Sequence, residues 1–147
     1  MSSPLNRAIY EYLTESPAVT ALVGDRIYPI GATPTAISYP YITHQAVSAS
    51  HTRHMSVGSG LAEHRWEFNA WSTSSDEAYQ VGEALRELLD NRHGLTMGTG
   101  TSEVSVRGVF LDDQDLSAEF PTDGSKVGVH RARLDFIIWN NETVTPV

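Results

Sequence analysis

The chain has 147 residues, 40% of them hydrophobic and 19% charged, with a net charge of −8. That length suits a single domain, residues 1–147, able to bury roughly 68–70% of its unfolded surface. The totals exclude a membrane helix, since no run approaches the ~20 apolar residues one needs, and a DNA-wrapping protein, which needs surplus Lys and Arg. A duplex passing through a lumen without adhering stays compatible with the charge. Zero cysteines exclude disulfides, thiol catalysis and Cys-ligated metal. The opening MSSPLNRAIYEY lacks the basic region and apolar block of a secretory signal.

Ser3-Pro4 reads as a helix start, with Leu5, Ala8, Ile9, Tyr12 and Leu13 at helical spacing up to Thr14. Ser16-Pro17 repeats the signal for a short helix, Ala18 to Val23, closed by Gly24. Asp25 to Pro29 is extended, and Gly31 to Pro40 is a loop rich in Pro, Thr, Ser and Ala. A first strand spans Tyr41 to Ser48. Ala49 to Gly60 (ASHTRHMSVGSG) has no apolar period and reads as the long loop of a hairpin leading into a second strand, Leu61 to Trp71. Ser74 with Glu77 is a capping box for a helix whose stripe is Ala78, Val81, Leu85 and Leu88, ended by His93-Gly94. Leu95 to Glu103 is a connector and Val104 to Leu111 a third strand. Asp112 to Lys126 is an acidic turn with five acids against one Lys.

The last strand, Val127 to Trp139 (VGVHRARLDFIIW), organises the rest. His130, Ala132, Leu134, Phe136 and Ile138 share one parity, and Arg131, Arg133 and Asp135 the other. Arg65 to Trp71 (RWEFNAW) repeats the pattern of Arg133 to Trp139 (RLDFIIW), so the two are expected to pair at the centre of one sheet. The resulting expectation is an α+β fold: a four-stranded antiparallel sheet, order 1-2-4-3, with helices packed on one face and a long hairpin loop. The other face carries Arg65, Glu67, Arg131, Arg133 and Asp135, with Trp71 and Trp139 expected at one end. A charged face with aromatic anchors has the composition of a partner surface.

Individual motifs point away from catalysis. His51-x-x-His54 lacks a third ligand and a rigid frame, so it reads as a polar loop whose Arg53 and histidines touch a partner. Asp112-Asp113-x-Asp115 lacks the calcium-loop spacing and its closing Glu. Gly94 to Gly100 precedes a strand and lacks the lysine of a phosphate loop. The strand histidines His44, His64 and His130 have no nucleophile motif beside them and read as packing or edge residues. No catalytic, cofactor-binding or metal residue is assigned, and no cofactor is expected.

The composite pattern resembles a known family. It comprises the N-terminal helix, ALVGDRIYP (Ala21 to Pro29), YPYI (Tyr39 to Ile42), WEFNAW (Trp66 to Trp71), the Ala78–Leu89 helix and RARLDFIIW (Arg131 to Trp139). Together these resemble the tail-completion, or tail-terminator, proteins of long-tailed phages and phage-like particles. The resemblance implies a structural virion protein at the head–tail junction, assembled in the host cytoplasm and not an enzyme. It implies a self-associating ring, typically a hexamer, on the head-proximal end of the tail tube. The implied partners are the tail tube protein, the head-completion (stopper) protein of the neck, and genome DNA that passes through without sequence-specific binding, with no membrane involved. On this reading His51, Arg53, His54, Met55, Trp71, Arg131, Arg133 and Trp139 are the candidate assembly residues. The alternative is a small α+β enzyme or ligand-binding module, which requires a pocket with convergent polar groups.

Overall fold

The computed structural model describes residues 4–53, 58–100, 103–119 and 128–141. In chain order the elements are helices α1 (Pro4–Thr14) and α2 (Pro17–Val23), strands β1 (Ile27–Pro29), β2 (Tyr41–Arg53) and β3 (Gly58–Ser72), helix α3 (Ser75–Leu89), and strands β4 (Arg92–Met97), β5 (Val104–Glu119) and β6 (Val129–Asn141). The helical spacing of α1 buries Leu5, Ala8, Ile9 and Leu13. Ser16 precedes α2 in extended conformation without a side-chain cap bond, so Pro17 and main-chain bonding start this helix. Gly24 ends it at φ +61°, where a side chain is strained, and donates its N–H to the Thr20 carbonyl at 2.8 Å.

The capping box of α3 closes through a third residue. The Glu77 N–H donates to Ser74 Oγ at 3.4 Å, as the sequence signal requires. The Glu77 carboxylate accepts from the Ser72 hydroxyl at 2.6 Å, and Ser72 Oγ accepts from the Ser74 N–H at 3.1 Å. The start of α3 is thereby tied to the end of β3. Its buried stripe is Ala78, Val81, Gly82, Leu85 and Leu89, with each Val or Leu contributing roughly 1.5–3 kcal/mol by burial. Gly82 permits close approach to the sheet: a Cβ there would lie 3.1 Å from the Ala132 methyl and 3.4 Å from Leu134 Cδ1.

The sheet has six strands in the order β1-β2-β3-β6-β5-β4 and curls into a half-barrel. β1 runs parallel to β2, and the remaining pairs are antiparallel. Helix α3 packs on β3, β5 and β6, while α1 touches both β1 and β4, the two outermost strands. The core fills the space between these layers. At its centre the fully buried rings of Phe68 and Phe136 meet edge to face, with centroids 5.6 Å apart at 84°.

This corrects the expected four-stranded antiparallel sheet. β1 has only three residues, too few for a period to show, and Pro29 ends it. β4 (RHGLTM) carries a glycine at φ +59° and little alternation, so it reads as a connector. The acidic turn is also corrected, because β5 continues through it to Glu119. Register shifts at Val106/Gly108 and Leu111/Asp113 change the side-chain parity and hide the length of that strand. The expected hairpin loop is mostly strand: β2 reaches Arg53 and β3 begins at Gly58.

Strands β3 and β6 pair antiparallel about Glu67 opposite Asp135, with Trp66 opposite Phe136 and Phe68 opposite Leu134. Like patterns running in opposite directions place equivalent ends apart. Trp71 therefore lies opposite Arg131, and Trp139 lies opposite Glu63, at the far end of the pair. The expectation that both tryptophans share one end is corrected by this register.

Candidate assembly surface

The helices cover the face that carries Ile42, Trp66, Phe68, Leu134 and Phe136, so the opposite parity of the sheet faces solvent. Its centre is an ion-pair cluster. The Arg133 guanidinium donates to Asp115 Oδ2 at 2.7 and 2.9 Å, to Asp113 Oδ2 at 2.8 Å and to Asp135 Oδ2. Arg65 joins from β3, 2.6 Å from Asp112 and 3.7 Å from Asp135. The hydrogen bonds that Arg133 donates to Asp115 and Asp113 hold its pKa above the ordinary arginine value. The hydrogen bond from Arg133 likewise lowers the Asp113 carboxyl below the usual range. Four acids from β5 and β6 thus share two arginines, which offsets repulsion between facing strands and joins β3, β5 and β6 on their outer side.

One end of this face is aromatic. The Trp71 indole stacks on the Tyr41 ring (6.1 Å, 13°) and donates Nε1–H to Thr43 Oγ1 at 3.0 Å. The Arg131 guanidinium sits 5.6 Å from the Trp71 ring centroid, within cation–π range. Tyr39 and Tyr28 extend the row, 5.4 and 6.2 Å from Tyr41. The other end carries Trp139 beside Gly108 and Glu63, Ile137 beside Phe110, and His93 with its ring 5.4 Å from Phe110. Phe110 is 37% exposed.

The structure therefore brings Trp71 and Arg131 together, places Arg133 in the central cluster and separates Trp139 from them. His51 and Arg53 are main-chain positions of β2, opposite Ala62 and Gly58. His54 and Met55 lie outside the described residues. The sequence reading missed Tyr28, Tyr39 and Tyr41 as an aromatic row and Asp113 and Asp115 as partners of Arg133. The two aspartates, spaced by two, carried the strand signal that the turn reading passed over.

No cation site is formed: among the described residues no group of three or more His, Asp or Glu side chains is placed to hold a metal ion. Among them, too, no helix is long and apolar enough to cross a membrane. Outside the charged cluster, His44 is a buried histidine, 1% exposed, packed against Trp66 and Phe68. Its Nδ1 accepts the Trp66 indole N–H at 3.3 Å, and burial lowers its pKa to about 4, so it is neutral near pH 7.

The sheet thus pairs outer charges within the Arg133 cluster and carries aromatic side chains at its two ends, the composition of a surface that partners cover. Residues 7–140 match the family described as tail completion protein gp17, and the chain belongs to that family. A solved structure described as the virion of a native gene transfer agent particle contains a chain of similar fold. The TM-score is 0.70 at 15% identity, covering 93% of this chain and 94% of that one. No curated protein matches by sequence. Membership in a structural tail family argues against the enzyme alternative.

Proposed function

We propose that copies of this chain form a hexameric ring on the head-proximal end of the tail tube. The ring ends tube polymerisation by covering the surface the next tube layer needs. It presents its other side to the head-completion protein of the neck, and genome DNA passes through its lumen without sequence-specific contacts. The observation that carries this reading is family membership over residues 7–140. The surface supports it. A ring of identical copies joins head to tail, so each copy needs two different patches. The Tyr41–Trp71–Arg131 end and the Trp139–Phe110–His93 end differ in chemistry and lie at opposite ends of the central strand pair. The central Arg133 cluster stiffens the plate between them. In this proposal the β2–β3 hairpin, with His51, Arg53, His54 and Met55, reaches the tube or the neighbouring copy. The net charge of −8 suits a lumen to which a duplex does not adhere.

The test is native mass in solution together with negative-stain images of the protein mixed with purified tail tubes. A closed ring, free or seated on tube ends, is the expected result. A monomer that never binds tubes overturns the reading.

A further inference from the structure

Four charged side chains on the outer face of the sheet take no part in the Arg133 cluster, two at each end of the β3–β6 pair. Arg131 is half-buried and rests its guanidinium on the Trp71 ring, with no hydrogen bond or ion pair among the described residues. Its Nε and the hydroxyl of Ser117, the residue opposite it on β5, are buried without partners. Glu119 follows two residues after Ser117, on the same side of β5, and is exposed. It faces the aromatic row: burial first, then Tyr39 and the Glu119 charge, raises the Tyr41 hydroxyl pKa.

The other end holds the same two signs of charge. Glu63 lies opposite Trp139 and is half-buried. Arg107 precedes Gly108, which faces Trp139 from its other side, and is exposed while Val106 and Val109 are buried. Neither Glu63 nor Arg107 has an ion-pair partner among the described residues. The neighbouring arginines are engaged: Arg65 and Arg133 with aspartates, Arg92 with the Leu88 and Glu87 carbonyls. His93, also at this end, packs on Phe110.

The order of these side chains across the strands selects the partner. From β3 through β6 to β5, one end presents Trp71, Arg131 and Glu119, and the other Glu63, Trp139 and Arg107. Two copies set end to end, with strands running the same way, bring cation to anion twice: Arg131 to Glu63 and Glu119 to Arg107. A two-fold contact through the Arg131 end would instead set each Arg131 beside its own counterpart. Tyr41, Trp71 and Arg131 are the residue types that carry interface energy, whereas charge pairs at a rim chiefly fix partner and register.

We infer that the next copy of this chain covers the Arg131 end with its Glu63 end, and that the pairs Arg131–Glu63 and Glu119–Arg107 set the direction of head-to-tail joining. The inference rests on the ring reading above and names the contact within it.

The experiment measures native mass of the full chain for wild type, Arg131→Glu, Glu63→Arg and an equimolar mixture of the two variants. Circular dichroism and thermal melts confirm folding. Each reversal alone sets like charges together at every contact, and the mixture restores opposite charges throughout an alternating ring. Mixing cannot rescue a subunit that merely misfolds. The expected result is a wild-type ring, folded single variants whose ring fraction falls about tenfold or more at equal concentration, and rings again in the mixture. If Arg131→Glu unfolds through loss of its Trp71 contact, the exposed pair Glu119→Arg and Arg107→Glu is measured the same way, with the same expectation. A wild-type ring with single variants that assemble normally, or with folded variants whose mixture stays unassembled, overturns this inference and leaves the ring reading intact. A wild type that forms no ring, even with tail tubes, overturns both.

Discussion

The paired phenylalanines at the centre of the core allow a quantitative test of how β3 and β6 share one environment. Phe68 and Phe136 are each fully buried and meet edge to face at 5.6 Å. Truncating either to Ala is expected to cost about 3–5 kcal/mol, and the double truncation approaches the whole stability of a domain, ~5–15 kcal/mol. A double-mutant cycle therefore works better with Leu. Phe68→Leu and Phe136→Leu keep much of the volume and should each cost on the order of 1–1.5 kcal/mol. The ring pair should add a coupling of about 0.5–1.5 kcal/mol, so the double variant loses less than the sum of the singles. Urea denaturation with unchanged m-values reads this out as shifts in midpoint. Strictly additive losses would mean that the two rings do not interact, and the central pairing argued here would fail.

Other expectations follow from single contacts. Because burial lowers the folded-state pKa of His44 to about 4, the unfolded chain binds its proton more readily below the ordinary value near ~6.5. Stability is therefore fully present above ~6.5 and falls as pH drops through the window down to about 4, by roughly 3 kcal/mol; urea midpoints of His44→Gln should show a flatter profile there. Arg133→Gln removes the donor that lowers the Asp113 carboxyl pKa. Its destabilisation should be largest above the ordinary Asp range and shrink as pH falls through the folded pKa, which thermal melts across acid pH can follow. Gly82→Leu forces a side chain against Ala132 and Leu134 and should cost at least about 1–3 kcal/mol in urea midpoint. An unchanged midpoint means that α3 does not sit that close to the sheet.

The central strands were legible because their alternation is long and unbroken. Ala132, Leu134, Phe136 and Ile138 bury on one parity, and the echo between RWEFNAW and RLDFIIW marks the β3–β6 pair, which is centred on Glu67 opposite Asp135. What escaped the sequence were the margins of the sheet. Three residues of β1 hold too little pattern to read, and Gly94 breaks the alternation of β4. Two register shifts in β5 put Val109 and Leu111 on the core side and Asp113 and Asp115 on the outer side, so one long strand reads as a strand and a turn. The surface was legible in composition but not in arrangement. Arg131 and Trp71 are far apart in sequence, and only antiparallel pairing brings them together while sending Trp139 to the other end. Tyr41 gave no surface signal, because an aromatic residue at a strand start reads equally well as core.

The most direct test of the account is cryo-EM of tail tubes grown with and without this protein. The account predicts tubes that stop growing once the protein is added, each bearing one extra ring-shaped density at a single end, with the sheet's two aromatic ends at the contacts between copies. Tubes that lengthen at the same rate and show no added density at either end would contradict it.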